Sequence, residues 1–516
     1  MGPLKFLGRS KSFAARTLVL LLALNPVASL LLPAQDSHPA IASTHATSLV
    51  CETLTATLGQ IVSRRNSSAY LNSTLSYWSQ QEQLITPSCI VLATSAQDVS
   101  TALKILVYNS AKFAVRSGGH GAIAGIANIQ DGVTIDLRGL DFITPTSDGR
   151  FAAIGPGQTW GAVYTALSDL GLSVPGGRDG PVGVGGLTLG GGFGYFATKA
   201  GFTCDSVVEY EVVLANGTIV TANQSTNSDL WKALKGGGSN FGIVTKYTFQ
   251  TFALESVWGG DAYYPTTTLS NQLAAFYAFT ADPHYDVDAG LILTFAYSPS
   301  TGTLLVNNYA YAEPVINPPA FQAFTSIPGQ LLNDTAVMTM GEFSDKEGEL
   351  SADGYQQITF SASFVNKLAM LEGLWDVYNS STVAVSTVSE IQWSLSLEPI
   401  VPAIVNQSKV RGGNMLGLDS MPKEGLVLIE LTASFPSAND SVIVRAAAQT
   451  LLVNIISIAY ATGAYYLYVD MNHAAADQDP VASYGVENQV FLQAVATQYD
   501  PSGVFQNLMP GGFKVY

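Results

Sequence analysis

The sequence predicts an α+β protein with two main domains, and three observations carry that prediction. Strand-like and helix-like stretches alternate between residues 90 and 214; two glycine-rich loops interrupt that alternation; and after Thr251 the chain turns to aromatic and β-branched runs suited to an antiparallel sheet. With 516 residues, 47% of them hydrophobic and 12% charged, the chain can bury a large core. The 23 Lys+Arg against 39 Asp+Glu give a formal charge of -16, which repels a phosphate backbone and argues against nucleic acid as a partner.

The elements follow in order. Basic Lys5, Arg9, Lys11 and Arg16 precede an apolar run at 17–24 and small residues at Val27, Ala28 and Ser29, the pattern of a secretory signal over 1–34. An uncleaved anchor is the alternative, since Leu30 and Leu32 extend the run. Asn25 and Pro26 interrupt it short of the ~20 residues a span needs. A polar, short-helical arm is expected at 35–83. Residues 90–92 read as a strand, 97–108 as an amphipathic helix, 132–137 as a buried strand, 159–170 as a helix, 207–214 as a strand and 229–235 as a short helix; together they form a first domain over 84–255. Strands at 291–297, 304–311 and 426–431, with helices at 271–279 and 442–459, suggest a second domain over 256–460, a sheet covered by helices on one side. Sequons stand at Asn66, Asn72, Asn216, Asn223, Asn333, Asn379, Asn406 and Asn439, available for glycosylation along a eukaryotic secretory route.

The two loops, VRSGGHG at 115–121 and PVGVGGLTLGGGFG at 181–194, are the chemical signal. Glycine lets backbone N–H groups approach a pyrophosphate with no side chain between them, and neither loop continues into a phosphate-loop lysine. A G-x-G-x-x-G fingerprint is missing as well: Gly183 and Gly185 lead to Thr188, and Gly190 and Gly192 lead to Tyr195. A Rossmann-type nicotinamide site is therefore disfavoured. The five histidines show no metal-binding spacing, and no catalytic metal is expected.

This loop pair resembles the berberine-bridge-enzyme-like, FAD-linked oxidoreductases of the vanillyl-alcohol oxidase superfamily, over residues 85–255 and again in the C-terminal segment. The resemblance implies a two-part PCMH-type FAD-binding domain, a substrate domain with an antiparallel sheet, and a segment over 461–516 that returns to the FAD domain. It makes His120, after Arg116, Ser117, Gly118 and Gly119 and before Gly121, the covalent anchor of the flavin. Relatives with a second attachment carry a cysteine and a histidine around the second loop. Here Asp179 and Leu187 take those positions, so only one bond is expected. The resemblance further assigns cofactor contacts to Asp179, Val182, Gly183, Gly185, Gly186, Gly190, Gly191, Gly192 and Gly194, to Gly242, Ile243 and Val244, and to Asn472. It implies a Cys51–Cys89 disulfide tying down the arm, with Cys204 left over as a packing residue.

A flavin performs the hydride chemistry itself, so the protein must hold the ring and deprotonate the substrate. In the family an N-Y pair often stands near the flavin, and Asn472 and His473 occupy its position. An imidazole accepts a proton near neutrality with little tuning, which makes His473 the first candidate base. Glu430 is the second, a carboxylate on a strand whose neighbours Ile429 and Leu431 must face the other way. Tyr195 and Trp393 are candidates for walling the cavity, with core packing as the alternative. The expected activity is a secreted, monomeric flavin oxidase of a small alcohol, sugar or specialised-metabolism intermediate, reoxidised by dioxygen. A flavin dehydrogenase with another acceptor and a non-catalytic flavin-binding glycoprotein are the alternatives.

Overall fold

The computed structural model describes residues 40–516, with side chains from Thr47 onward, so the expected signal at 1–34 lies outside the described residues. The helix Ala40–Leu58 is joined by a Cys51–Cys89 disulfide to the strand Cys89–Leu92, the pairing that the resemblance implied. That strand belongs to a four-stranded sheet. Val62–Arg64 pairs antiparallel with it, while Val133–Asp136 and Phe113–Arg116 follow in parallel register. Parallel neighbours require a crossover, and the helix Ala96–Tyr108 supplies one. Ser95 caps its start by accepting from the Asp98 amide; Val99, Ala102, Leu103 and Leu106 fall on one face at helical spacing and bury against Val91, Val133 and Ile135.

A second, antiparallel sheet has five strands in the order Ile143–Pro145, Phe151–Ile154, Ile243–Gln250, Val207–Val213 and Ile219–Asn223. The third sheet has nine strands and is antiparallel throughout. Its centre runs Val257–Pro265, Gly302–Tyr311, Ala289–Ser298, Gln392–Ile400, Leu426–Phe435 and Gln356–Val365. Strand alternation gives this sheet two different faces. Val427, Ile429, Leu431 and Ala433 pack with Trp393, Leu395 and Leu397 under the helices Leu368–Val385 and Ser441–Ala461, whereas Leu426 and Leu428 join the core shared with the five-stranded sheet. Glu430 lies on that second side, as the alternation required. Trp393 lies on the first: it is fully buried in the helix-side core, and its Nε1 donates to Ser381 at 3.0 Å.

The end of the chain returns to the first sheet. Val504, Phe505 and Met509 enter its core, and the Phe113 amide donates to the Leu508 carbonyl at 2.9 Å.

Candidate active site

The two glycine loops lie against each other. A Cβ on Gly183 would fall 2.4 Å from the Gly118 nitrogen, and one on Gly118 would fall 2.6 Å from the Gly183 Cα; neither position admits alanine without moving backbone. Ser117 pins the contact, its hydroxyl accepting from the Gly185 amide at 3.1 Å and donating to the Pro156 carbonyl at 2.5 Å. The second loop in turn meets the C-terminal segment, where Asn472 donates to the Leu187 carbonyl at 3.1 Å and its Oδ1 would lie 2.2 Å from a Cβ on Gly190. Gly119, Gly191 and Gly192 have φ of 81°, 110° and 77°, the left-handed region that glycine alone enters freely. Gly186 faces open space.

His120 sits at the tip of the first loop. Burial, followed by the positive charge of His473, pushes its imidazole down to about 3, so it stays neutral across the physiological range. The influence of His473 places the two histidines close together, and both remain partly accessible, marking one recess.

Near it stands a chain of charges carried by the nine-stranded sheet and the C-terminal segment. His473 Nδ1 is 2.6 Å from Glu430 Oε1 and 2.8 Å from Asp470 Oδ2. Arg178 reaches over from the glycine-loop side, with Nη2 3.0 Å from Glu430 Oε2 and Nη1 on Glu398. Burial opposes charge on His473, but Glu430 and Asp470 overcome it and lift the imidazole to about 10. Burial likewise opposes charge on Glu430, and His473 with Arg178 overcomes it and holds the carboxyl down at about 2. Glu398 behaves differently: burial outweighs Arg178 and raises it to about 8. At neutral pH the recess therefore holds imidazolium, guanidinium and the Glu430 carboxylate together. His473 Nε2 has no hydrogen-bond partner among the described residues. Glu430, Asp470 and His473 are also close enough to share a cation, a role in which the Arg178 guanidinium on Glu430 would compete.

Several expected cofactor residues are placed differently from the loop glycines. The Arg116 side chain is fully buried away from the recess, under the Tyr77 ring at 3.7 Å and donating to the Ser73 and Ser76 carbonyls. Ile243 and Val244 point into the cores, and a Cβ on Gly242 would meet Val212, which leaves only backbone for a ligand. The Tyr195 hydroxyl donates to Asn308 at 2.6 Å. Asp179 lies in the recess beside Arg178, its carboxyl raised by burial. Val182 and Gly194 remain partly accessible. Cys204 is a buried free thiol, pushed well above its ordinary range by burial. Arg178 and Asp470 are the members that sequence reasoning missed. Nothing local marks either one, apart from the place of Arg178 beside Asp179 in the loop.

A glycine-lined double loop carrying a neutral histidine, roofed by a mixed-charge sheet face, defines a flavoprotein of the PCMH type. Residues 87–223 match the family model described as an FAD binding domain. The chain is 36% identical over 476 residues to the FAD-dependent monooxygenase sdcF of Emericella nidulans, covering 90% of this chain and 98% of that one. It is 33% identical to the FAD-dependent monooxygenase tpcD of Cochliobolus heterostrophus, over 85% and 87% of the two chains. Among solved structures, xylooligosaccharide oxidase from Myceliophthora thermophila superposes with a TM-score of 0.74 at 21% identity, over 91% of this chain and 99% of that one. For 6-hydroxy-D-nicotine oxidase from Arthrobacter nicotinovorans the values are 0.73 and 20%, over 86% and 96%. The chain belongs to the family of FAD-linked oxidoreductases that includes these fungal FAD-dependent monooxygenases, and it shares the fold of the solved FAD oxidases. FAD is its cofactor, and the side-chain-free contact between the loops fits a dinucleotide.

Proposed function

We propose that the protein is an oxidase that removes a hydride and a proton from a small alcohol, sugar or specialised-metabolism intermediate, with dioxygen as electron acceptor. The observation that carries this reading is the Arg178–Glu430–His473–Asp470 chain, its carboxylates buried, close to the His120 loop. The flavin supplies hydride acceptance when bound, held by the glycines of both loops, by Asn472, and covalently by His120 alone, since Asp179 stands where a second attachment would need cysteine.

The proton is the protein's task. An alcohol is a poor hydride donor until its O–H proton begins to leave, and the acceptor must be unprotonated at rest. Sequence reasoning ranks His473 first, but an imidazole held near 10 already carries its proton. Glu430 takes the leading role in our reading because Arg178 and His473 keep it ionised, while Asp470 orients His473 through Nδ1. Base strength is thereby traded for certain ionisation. The free Nε2 of His473 supports the other assignment, in which that atom accepts the proton once the imidazole is neutral. The pH dependence of anaerobic flavin reduction separates them. With Glu430 as acceptor the rate is level from pH 5 to 9; with His473 it climbs toward pH 10.

Relatives named monooxygenases favour a second reading, in which an oxygen atom is transferred to the substrate. Such a reaction needs an external reductant, whereas an oxidase returns one hydrogen peroxide per substrate. Peroxide stoichiometry, with ¹⁸O₂ incorporation into product, decides between them. Secretion is part of the proposal, supported by the disulfide and by exposed asparagines at Asn66, Asn72, Asn216, Asn333, Asn379, Asn406 and Asn439. Asn223 is the poorest of the sequons as an acceptor: it is half-buried, its amide donating to Glu209 and its carbonyl accepting from the Ser225 and Thr226 amides.

A further inference from the structure

The arm residues 77–83 lie between the His120 loop and the strand Gln356–Val365, and they bind both. On the loop side, the Trp78 amide donates to the Gly119 carbonyl at 3.1 Å, Ser79 Oγ donates to the Gly121 carbonyl at 2.8 Å, and Gln81 Nε2 donates to the Ala122 carbonyl at 2.5 Å. The carbonyls on both sides of His120 are therefore fastened to the arm. On the sheet side, the Gln80 amide donates to the Tyr355 carbonyl, the Gly354 amide to the Trp78 carbonyl, both at 2.8 Å, and Gln81 Nε2 also reaches the Gln357 carbonyl at 2.6 Å.

Held in this way, the Trp78 indole stacks on the His120 imidazole, with ring centroids 4.2 Å apart and planes 8° from parallel. The imidazole itself makes no hydrogen bond through either nitrogen to any described residue. Histidines with a chemical task are ordinarily aimed by a hydrogen bond on one ring nitrogen. Here only the stack fixes the ring plane, leaving both nitrogens free.

We propose that Trp78 is a positioning residue for covalent flavin attachment, its stacked indole holding the His120 ring in the orientation from which a nitrogen reaches the flavin methyl carbon. The inference rests on His120 being the covalent anchor. In the step itself, an imidazole nitrogen lone pair forms the N–C bond to the methyl carbon. One C–H hydrogen and the imidazole N–H hydrogen leave as protons, and the two electrons released reduce the flavin ring, from which dioxygen takes them with two protons to give hydrogen peroxide. A neutral imidazole is required, and the depressed basicity of His120 meets that requirement. An unaimed ring would still stand beside the flavin but would seldom present its lone pair along the bond being formed.

The test compares Trp78→Phe, Trp78→Leu and Trp78→Ala with wild type and His120→Ala, each purified with FAD present. The readout is the acid-stable fraction of bound flavin and the rate at which it grows, normalised to total flavin. Wild type and Trp78→Phe are expected to agree within about threefold in attachment rate, because phenylalanine keeps a stacking face. Trp78→Leu and Trp78→Ala should be at least ~10-fold slower while still binding FAD, as misplacement of reacting groups predicts. Should Trp78→Ala fail to fold, the Leu and Phe variants decide: equal rates in those two overturn the proposal. Attachment at the wild-type rate in Trp78→Leu with none in His120→Ala overturns the role of Trp78 and leaves the anchor intact. Absence of acid-stable flavin in wild type overturns the anchor itself.

Discussion

The two walls of the recess are built on opposite principles. The loop wall presents backbone: Gly118 and Gly183 touch with no room for a Cβ, and its one chemical side chain, His120, is neutral. The sheet wall presents side chains, with Arg178, Glu430, His473 and Asp470 paired, the two carboxylates buried and the two cations partly so. A backbone wall is set by close approach, so it fails when an atom is added. A charged wall is set by mutual compensation, so it fails when a partner is removed. Mutations on the two sides should therefore produce different kinds of defect.

The largest effect belongs to the charged wall. Glu430→Gln should lower the anaerobic rate of flavin reduction by ~10²- to 10⁴-fold with the flavin still bound; stopped-flow absorbance reads it, and a rate within threefold of wild type would move the proton to another group. Next comes Arg178→Met, which leaves Glu398 and Glu430 without their shared cation. A cost of about 3–5 kcal/mol is expected for such a half-pair, seen as a lower midpoint in urea. Cys51→Ser opens a bridge of sequence separation 38 and should cost ~4 kcal/mol in the chain-entropy model, without touching the reduction rate.

The backbone wall gives a different signature. Gly183→Ala should cost roughly 1–3 kcal/mol through overpacking and reduce flavin retention, with the rate per bound flavin little changed. A pH titration of stability offers the finest distinction. His473 is lifted from 6.5 to about 10, so its stabilising share is complete below 6.5 and drains away as pH rises through 10. Glu430 is lowered from 4.5 to about 2, so its share is complete above 4.5 and is lost as pH falls through 2. The stabilisation from the pair is greatest between pH 4.5 and 6.5, and His473→Gln should remove the alkaline part of that dependence. An unchanged alkaline limb in the variant would place its origin elsewhere.

The same contrast explains what was legible in the sequence. The loop wall is coded by contiguous residues whose lack of side chains is itself the signal, so His120 and its glycines could be read directly. Glu430 was legible because alternation sets its face once Ile429 and Leu431 are assigned to the helix side. Arg178 was not: it meets Glu398 and Glu430 only after the chain has folded across more than 200 positions. The acid–base state of His473 was hidden for the same reason, since an isolated imidazole reads as a neutral base and only Glu430 and Asp470 reverse that. The strands Gln392–Ile400 and Gln356–Val365 carry a period-2 alternation of polar and apolar residues, a legible strand signal that went unused beside the more apolar runs at 291–297, 304–311 and 426–431. Trp78 carried no signal in the sequence, because its effect arises through a ring on a separate loop.

Arg178 belongs to the loop side by chain and to the sheet side by charge. Separating the loop from the sheet would strip the guanidinium from the buried Glu430 carboxylate and the buried Glu398 carboxyl, neither of which water could then easily reach. That single side chain thus rivets the glycine-loop side of the molecule to the nine-stranded sheet.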